Sequence, residues 1–210
     1  ALETLSANLQ VRLAWPLLTD PVRAVRIEAA RLLAGIPAGE IDAPQRAQLD
    51  TAIAEYVDSQ LAMAERPEAQ VNLGNHYAAR GLADRAVNAY TTAAELDPGY
   101  VPAYVNLARL HSKSGDESAA EAVLRRGISR AGASADLQHS LGLALVRQRR
   151  TEEAMQALQQ AARSEGDEGI EQWLEAQGLS AAPRLLEVLQ VPDAWQRAVE
   201  TVMQAERDGL

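Results

Sequence analysis

The sequence predicts an all-α protein in which antiparallel helix pairs stack into a right-handed superhelical solenoid. Three observations lead to this fold class. Side-chain sizes recur every 34 residues, apolar residues follow a helical spacing of three and four, and glycine or proline separates the segments. The composition agrees, because the 210 residues are 47% hydrophobic, only 4% aromatic and lack Phe. Such a chain suits closely packed helices better than an aromatic-rich β-sandwich.

The 34-residue period is carried by large and by small residues. The matching positions are Leu73, Leu107 and Leu141; Ala86, Ala120 and Ala154; Tyr90, Leu124 and Leu158; and Ala93, Gly127 and Ala161. Small residues are required where two helices approach closely, and a large residue fills the gap beside them. A stacked array needs the same packing joint in every unit, whereas its solvent-facing side chains can vary.

Turn residues separate the predicted helices. Gly81 and Gly115 stand between the two helices of their units, where a left-handed residue ends the first helix, and Arg149 takes this place in the third unit. Asp97, Pro98 and Gly99 separate the first unit from the second, because proline cannot continue a helix and glycine tolerates the turn.

The units 67–100, 101–134 and 135–168 resemble tetratricopeptide repeats. The matching residues are Leu73, Gly74, Tyr77, Ala86, Tyr90, Ala93 and Pro98 in the first unit, Tyr104, Leu107, Ala108, Ala120 and Leu124 in the second, and Leu141, Gly142, Ala154, Leu158 and Ala161 in the third. The resemblance implies helix pairs whose first helices line a concave surface that binds a peptide or a partner protein.

Residues 1–66 are predicted to form a helical segment before the repeats. A helix from Leu2 to Ala14 ends at Trp15-Pro16, and a long helix runs from Pro44 to about Glu65. Between them, residues 20–36 have apolar side chains at helical spacing, with Asp20 as the expected N-cap. This segment is similar to the second helix of a HEAT repeat. A HEAT-like segment before such repeats resembles the tail regions of some bacterial multihaem cytochromes.

The segment 169–210 departs from the repeat pattern after a polar link at residues 164–169. Residues 173–202 resemble the opening of the hinge domain in structural maintenance of chromosomes proteins. The alternative is a pair of short amphipathic helices that cap the open end of the solenoid, because terminal repeats need a cover for their apolar face.

Charge and composition restrict the partners. The net charge of −9 disfavours binding to a nucleic-acid backbone. No apolar run approaches the roughly 18 residues that a membrane span requires, so we expect a soluble chain without membrane insertion. The compartment is the periplasm if the cytochrome resemblance holds and the cytoplasm otherwise, and the oligomeric state stays open.

No enzyme, cofactor or metal site is expected. The absence of Cys excludes thiolate ligands and covalent haem attachment within this chain. His76 is expected at the periphery, His111 in a packed position and His139 in the groove, with no second metal ligand at a suitable spacing. The basic run from Arg147 to Arg150 is interpreted as a solvated helix C-terminus rather than a nucleic-acid patch.

The candidate site is the groove side of the first helices. Its predicted partner-binding residues are Val71, Asn72, Asn75, Val105, Asn106, Arg109, Lys113, His139, Ser140, Leu143 and Arg147. Amides and cations can bind the main chain or carboxylate of a peptide, while the aliphatic residues offer apolar contact. Asn75 and Asn106 match the two asparagines of tetratricopeptide carboxylate clamps, but Val71, Asp136 and Ser140 stand where the clamp has basic residues.

The sequence therefore favours a non-catalytic scaffold that binds a peptide or protein in the groove. Two alternatives stay open at this point. One is a docking module of an exported multihaem electron-transfer protein, and the other is a chromosome-organisation fragment that dimerises through the partial hinge-like segment.

Overall fold

A computed structural model describes residues 7–164 of the chain. All secondary structure in this range is helical, which confirms the all-α prediction for these residues. The beginning of the first predicted helix and the segment 169–210, with its cap or hinge-like alternatives, lie outside the described residues. The chain divides into two compact units, unit 1 before and unit 2 after the junction of Asp97 and Pro98, and each is described by itself.

Unit 1 begins with three helices around a small apolar core. Helix α1 spans Ala7–Ala14, α2 spans Arg23–Leu33 and α3 spans Ala43–Leu61, with short 3₁₀ helices at Trp15–Thr19 and Ala38–Glu40. Their buried residues form one cluster: Ala14, Leu18, Ala29, Ala30, Leu33, Leu49, Ala52, Ile53 and Tyr56. The predicted break at Trp15-Pro16 is thus a change from α-helix to 3₁₀ helix.

The beginnings of α2 and α3 differ in their capping. In α3 the carboxylate of Asp42 accepts from the backbone N–H of Gln45 at 2.8 Å, and the Gln45 side chain accepts from the Asp42 N–H at 2.9 Å. The prediction that Asp20 caps α2 is wrong. The Asp20 carboxylate instead accepts from the Val22 N–H at 2.8 Å, and this local turn delays the helix until Arg23.

Within the described residues the repeats consist of three helix pairs, one in unit 1 and two in unit 2. They are α4 (Pro67–Ala79) with α5 (Ala83–Leu96), α6 (Val101–Lys113) with α7 (Glu117–Ala131), and α8 (Ala135–Arg147) with α9 (Thr151–Ser164). The helices of each pair pack against each other. Gly81, Gly115 and Arg149 have φ angles of 72°, 83° and 62°, which confirms the predicted left-handed position between the helices of every pair.

The small-against-large joint is also confirmed. Ala86 and Ala120 are fully buried and Ala154 is 1% exposed. A Cβ added at Gly74 would overlap the ring of Tyr90, and one added at Gly142 would lie 2.6 Å from Leu158 Cγ. Equivalent positions of the repeat therefore place a glycine against a large side chain in two of the pairs.

Candidate partner-binding surface

Helix α6 presents four predicted site residues on the face opposite its buried side. The buried residues Ala103, Tyr104, Leu107 and Ala108 follow the helical period. The site residues are Val105 and Asn106, which are half-buried, and Arg109 and Lys113, which are exposed. Arg109 Nη2 donates to Asn106 Oδ1 across one helical turn. The guanidinium and the carboxamide therefore form one polar group on this face.

Helix α8 is arranged in the same way. His139, Ser140 and Leu143 are half-buried, and Arg147 is exposed at the last residue of the helix. Arg147 Nη1 lies 3.6 Å from Glu117 Oε2 of α7, and the same carboxylate oxygen accepts from Ser112 Oγ at 2.7 Å. Helices α6 and α8 are in contact. We refer to the site residues of these two helices together as the α6–α8 face.

In unit 1 the predicted site residues on α4 are less open. Val71 is only 5% exposed, so its expected groove position is wrong. Asn72 is half-buried and makes two hydrogen bonds. Its backbone carbonyl accepts from Tyr56 Oη at 3.0 Å, and its side-chain Nδ2 donates to Gln60 Oε1 at 3.0 Å. Both partners lie on α3, which packs against α4. Asn75 is exposed and its Oδ1 accepts from Tyr90 Oη at 2.8 Å.

His76 is buried in the structure, whereas the sequence analysis expects it at the periphery. It is 7% exposed, and its ring centroid lies 5.6 Å from those of Tyr56 and Tyr77, which corrects the expected peripheral position. Burial, and to a lesser extent the charge of Arg80, lowers the pKa of His76. Burial also raises the pKa of Tyr56 to about 12. No sequence signal marked this cluster, because α3 lies outside the 34-residue period.

The basic run at the end of α8 forms hydrogen bonds with carboxylates of the neighbouring helices. Glu121 of α7 accepts from Gln148 Nε2 at 2.9 Å and from Arg150 Nη1 at 2.6 Å. Burial alone would raise the pKa of Glu121, but hydrogen bonds from Arg125, Gln148 and Arg150 outweigh it and hold the pKa below its usual value. Arg150 also donates to Glu153 at 2.7 Å. The cations of this run thus join α7 to the beginning of α9.

The described part of the chain has neither a metal-binding cluster nor a membrane-spanning helix. Within residues 7–164, no group of three or more His, Asp or Glu side chains could hold a metal ion. None of the helices described there combines the length and the apolar character needed to cross a membrane.

The geometry first defines a class of protein. Residues 67–164 form helix pairs with the same left-handed break and the same buried small residues, which is the construction of a helical-repeat protein. A tetratricopeptide repeat profile matches residues 77–142, and a second one matches residues 135–167. These two matches make residues 77–167 similar to tetratricopeptide repeats, and such repeats support a role as a protein–protein interaction scaffold. Neither match extends to the HEAT-like or hinge-like segments.

Solved structures with a similar arrangement were also found. A crystal structure of MamA has 19% identity and a TM-score of 0.49, over 76% of this chain and 88% of that one. TTC0263, a tetratricopeptide repeat protein of Thermus thermophilus, has 15% identity and a TM-score of 0.48, over 84% of this chain and all of that one. A search of the curated proteins gave no match to the sequence.

Proposed function

We propose that this chain is a non-catalytic scaffold that binds a peptide or a segment of a partner protein on the α6–α8 face. The observation that carries the proposal is the pairing of Arg109 with Asn106 on the side of α6 that faces away from the buried core. A guanidinium has five N–H donors, and among the described residues only Asn106 accepts a hydrogen bond from Arg109.

The chemistry of this face suits a peptide. Asn106 and Ser140 can bind main-chain N–H and C=O groups, and Arg109 or Lys113 can bind a carboxylate. The half-buried side chains of Val105 and Leu143 offer apolar contact between these polar groups. A mixture of directional polar groups and aliphatic contact is typical of surfaces that bind extended peptides.

The proposal is tested with the double variant Asn106→Ala/Arg109→Ala in a crosslinking pull-down from lysate. We expect capture of partners to fall at least several-fold, because the variant removes the paired carboxamide and guanidinium from the face. Circular dichroism should show unchanged helicity, since both side chains lie away from the buried side of α6.

The matched control is Asn88→Ala/Arg126→Ala, which removes the same two side-chain types from exposed positions on the second helices α5 and α7. This control should capture partners as the unmodified chain does. Undiminished capture by the Asn106/Arg109 variant, or an equal loss in the control, would remove this face from the binding site.

A further inference from the structure

Unit 2 contains a cavity of about 330 Å³ between α7 and α9, with α8 as its floor. The floor is formed by Gln138, Leu141 and Leu145, which lie on one side of α8 at helical spacing. Arg125 of α7 and Glu153 of α9 lie among the lining residues, and their side chains are 3.4 Å apart. The volume lies at the lower end of the range of small-ligand sites.

The floor contains a side-chain amide that opens into the cavity and has no hydrogen-bond partner among the described residues. Gln138 is only 5% exposed, yet within residues 7–164 its side-chain carboxamide has no hydrogen bond. The carboxamide atoms of Gln138 are not fully buried, so they reach the open space of the cavity. The carboxamide of Gln138 therefore offers one donor group and one acceptor group to a ligand in the cavity.

The cavity is separate from the α6–α8 face. Gln138, Leu141 and Leu145 lie on the opposite side of α8 from His139, Leu143 and Arg147, because these sets are half a helical turn apart. Occupation of the cavity is therefore independent of the function proposed for that face.

We propose that this cavity binds an uncharged peptide segment, with the carboxamide of Gln138 pairing with a main-chain amide of the ligand. A peptide group presents one N–H and one C=O, which match the acceptor and the donor of the glutamine side chain. Leu141, Leu145 and Ala157 give the apolar surface against which a side chain of the segment packs.

The charges and the lining residues define the ligand further. The lining contains one cation and one anion, Arg125 and Glu153, which compensate each other, so the cavity does not favour a charged ligand. The lining residues include no aromatic side chain on which a sugar or nucleobase ring could stack. An uncharged segment with an aliphatic side chain fits both properties.

The probe is N-acetyl-leucine N-methylamide, which carries two peptide groups and one leucine side chain without a charge. It is titrated into the complete ¹⁵N-labelled chain and followed by NMR. We expect saturable shifts of the Gln138 side-chain amide and of the lining residues of α7, α8 and α9, with a dissociation constant on the order of 1 mM. N-acetyl-leucine, which carries a carboxylate, should bind about tenfold more weakly.

The variant Gln138→Leu removes the carboxamide and keeps the volume, and we expect about tenfold weaker binding of the uncharged probe. The control Gln159→Leu changes the same side chain at an exposed position of α9 outside the cavity and should bind normally. Absence of saturable shifts at the cavity in the unmodified chain, equal binding of the charged probe, or undiminished binding to the Gln138 variant would each overturn the proposal. The Asn106/Arg109 variant should bind the probe normally. The experiment therefore tests the cavity independently of the partner binding proposed for the α6–α8 face.

Discussion

Arg149 adopts a backbone conformation that the other two repeats assign to glycine. Its φ of 62° compares with 72° at Gly81 and 83° at Gly115. The left-handed conformation costs a non-glycine residue about 1–2 kcal/mol, while glycine loses about 0.5–1 kcal/mol more on folding through its flexibility. We expect Arg149→Gly to raise the free energy of unfolding by up to about 1 kcal/mol, measured by urea denaturation.

The control for this prediction is Arg126→Gly, the same substitution at an exposed position in the interior of α7. There the backbone is helical, so glycine should lower the free energy of unfolding by about 1 kcal/mol. A loss of stability in both variants would show that Arg149 is not strained in the folded chain.

His76 is expected to make stability depend on pH. Its pKa is lowered from the usual value of 6.5, chiefly by burial, so the unfolded chain takes up the proton first as the pH falls. The free energy of unfolding should therefore fall as the pH drops below 6.5 and stop falling below the pKa of the folded state. The measurement is urea denaturation across this range for the unmodified chain and for His76→Gln.

The variant His76→Gln cannot be protonated, so it should lose this part of the pH dependence. His111→Gln removes a half-buried histidine outside the Tyr56 and Tyr77 cluster and serves as the control. If His76→Gln keeps the full pH dependence, the buried histidine does not cause it.

At the scale of the element, the close packing of the two helices in a pair depends on one glycine, which has no side chain. Alanine normally stabilises a helix interior by about 1 kcal/mol relative to glycine. At Gly74 the added Cβ would overlap the Tyr90 ring, so Gly74→Ala should lower the free energy of unfolding by about 1–3 kcal/mol. Denaturation by urea measures the change. Gly39→Ala is the control in unit 1, because its Cβ would meet no atom within 4 Å.

A compensating change tests whether the overlap is the cause. At the equivalent positions of the second repeat the chain has Ala108 and Leu124, both buried. The double variant Gly74→Ala/Tyr90→Leu copies this pair and should recover part of the stability lost by Gly74→Ala. The two substitutions should then be clearly non-additive. Additive losses would mean that Gly74 is required for another reason.

The sequence predicted the joints inside the helix pairs because both partners lie within one 34-residue unit. Side-chain size at Gly74 and Tyr90 is sufficient information for such a joint. The ring contact of His76 is made with Tyr56 of α3, which lies before the repeats and follows no period. The shift of the α2 start was missed for a local reason, since an aspartate can close a turn as well as a helix.

The candidate site was predictable to a similar degree. Periodicity placed Asn106 and Arg109 opposite the buried side of α6, and a spacing of three residues allows them to pair. The cavity above Gln138 was not predictable, because three helices must meet before its volume exists. Gln138 is a polar residue at a buried position of α8, and this departure from the apolar pattern is the only signal that the sequence contains.

At the scale of the whole molecule, the similarity to tetratricopeptide repeats indicates a class of function but not the partner. The net charge of −9 belongs to the chain as a whole, whereas the predicted site residues of the α6–α8 face include three cations, Arg109, Lys113 and Arg147. Because charges beyond about 10 Å are screened at 0.1 M salt, the local cations determine which groups can bind closely. The site chemistry, rather than the overall charge, should therefore select the partner.

We propose that the segment 169–210 covers the apolar end of the last repeat. Each repeat in a stacked array is stabilised by its neighbours, and the final one has a neighbour on one side only. Deletion of residues 170–210 should therefore lower the melting temperature and promote aggregation, measured by thermal denaturation and light scattering. A shorter deletion, which removes residues 203–210 only, serves as the control and should change neither property.

Sedimentation at several concentrations separates the two alternatives for this segment. If the segment is a cover, the chain should be monomeric at every concentration. If it is hinge-like, the chain should form dimers that disappear on deletion. An unchanged melting temperature in the long deletion would contradict the cover.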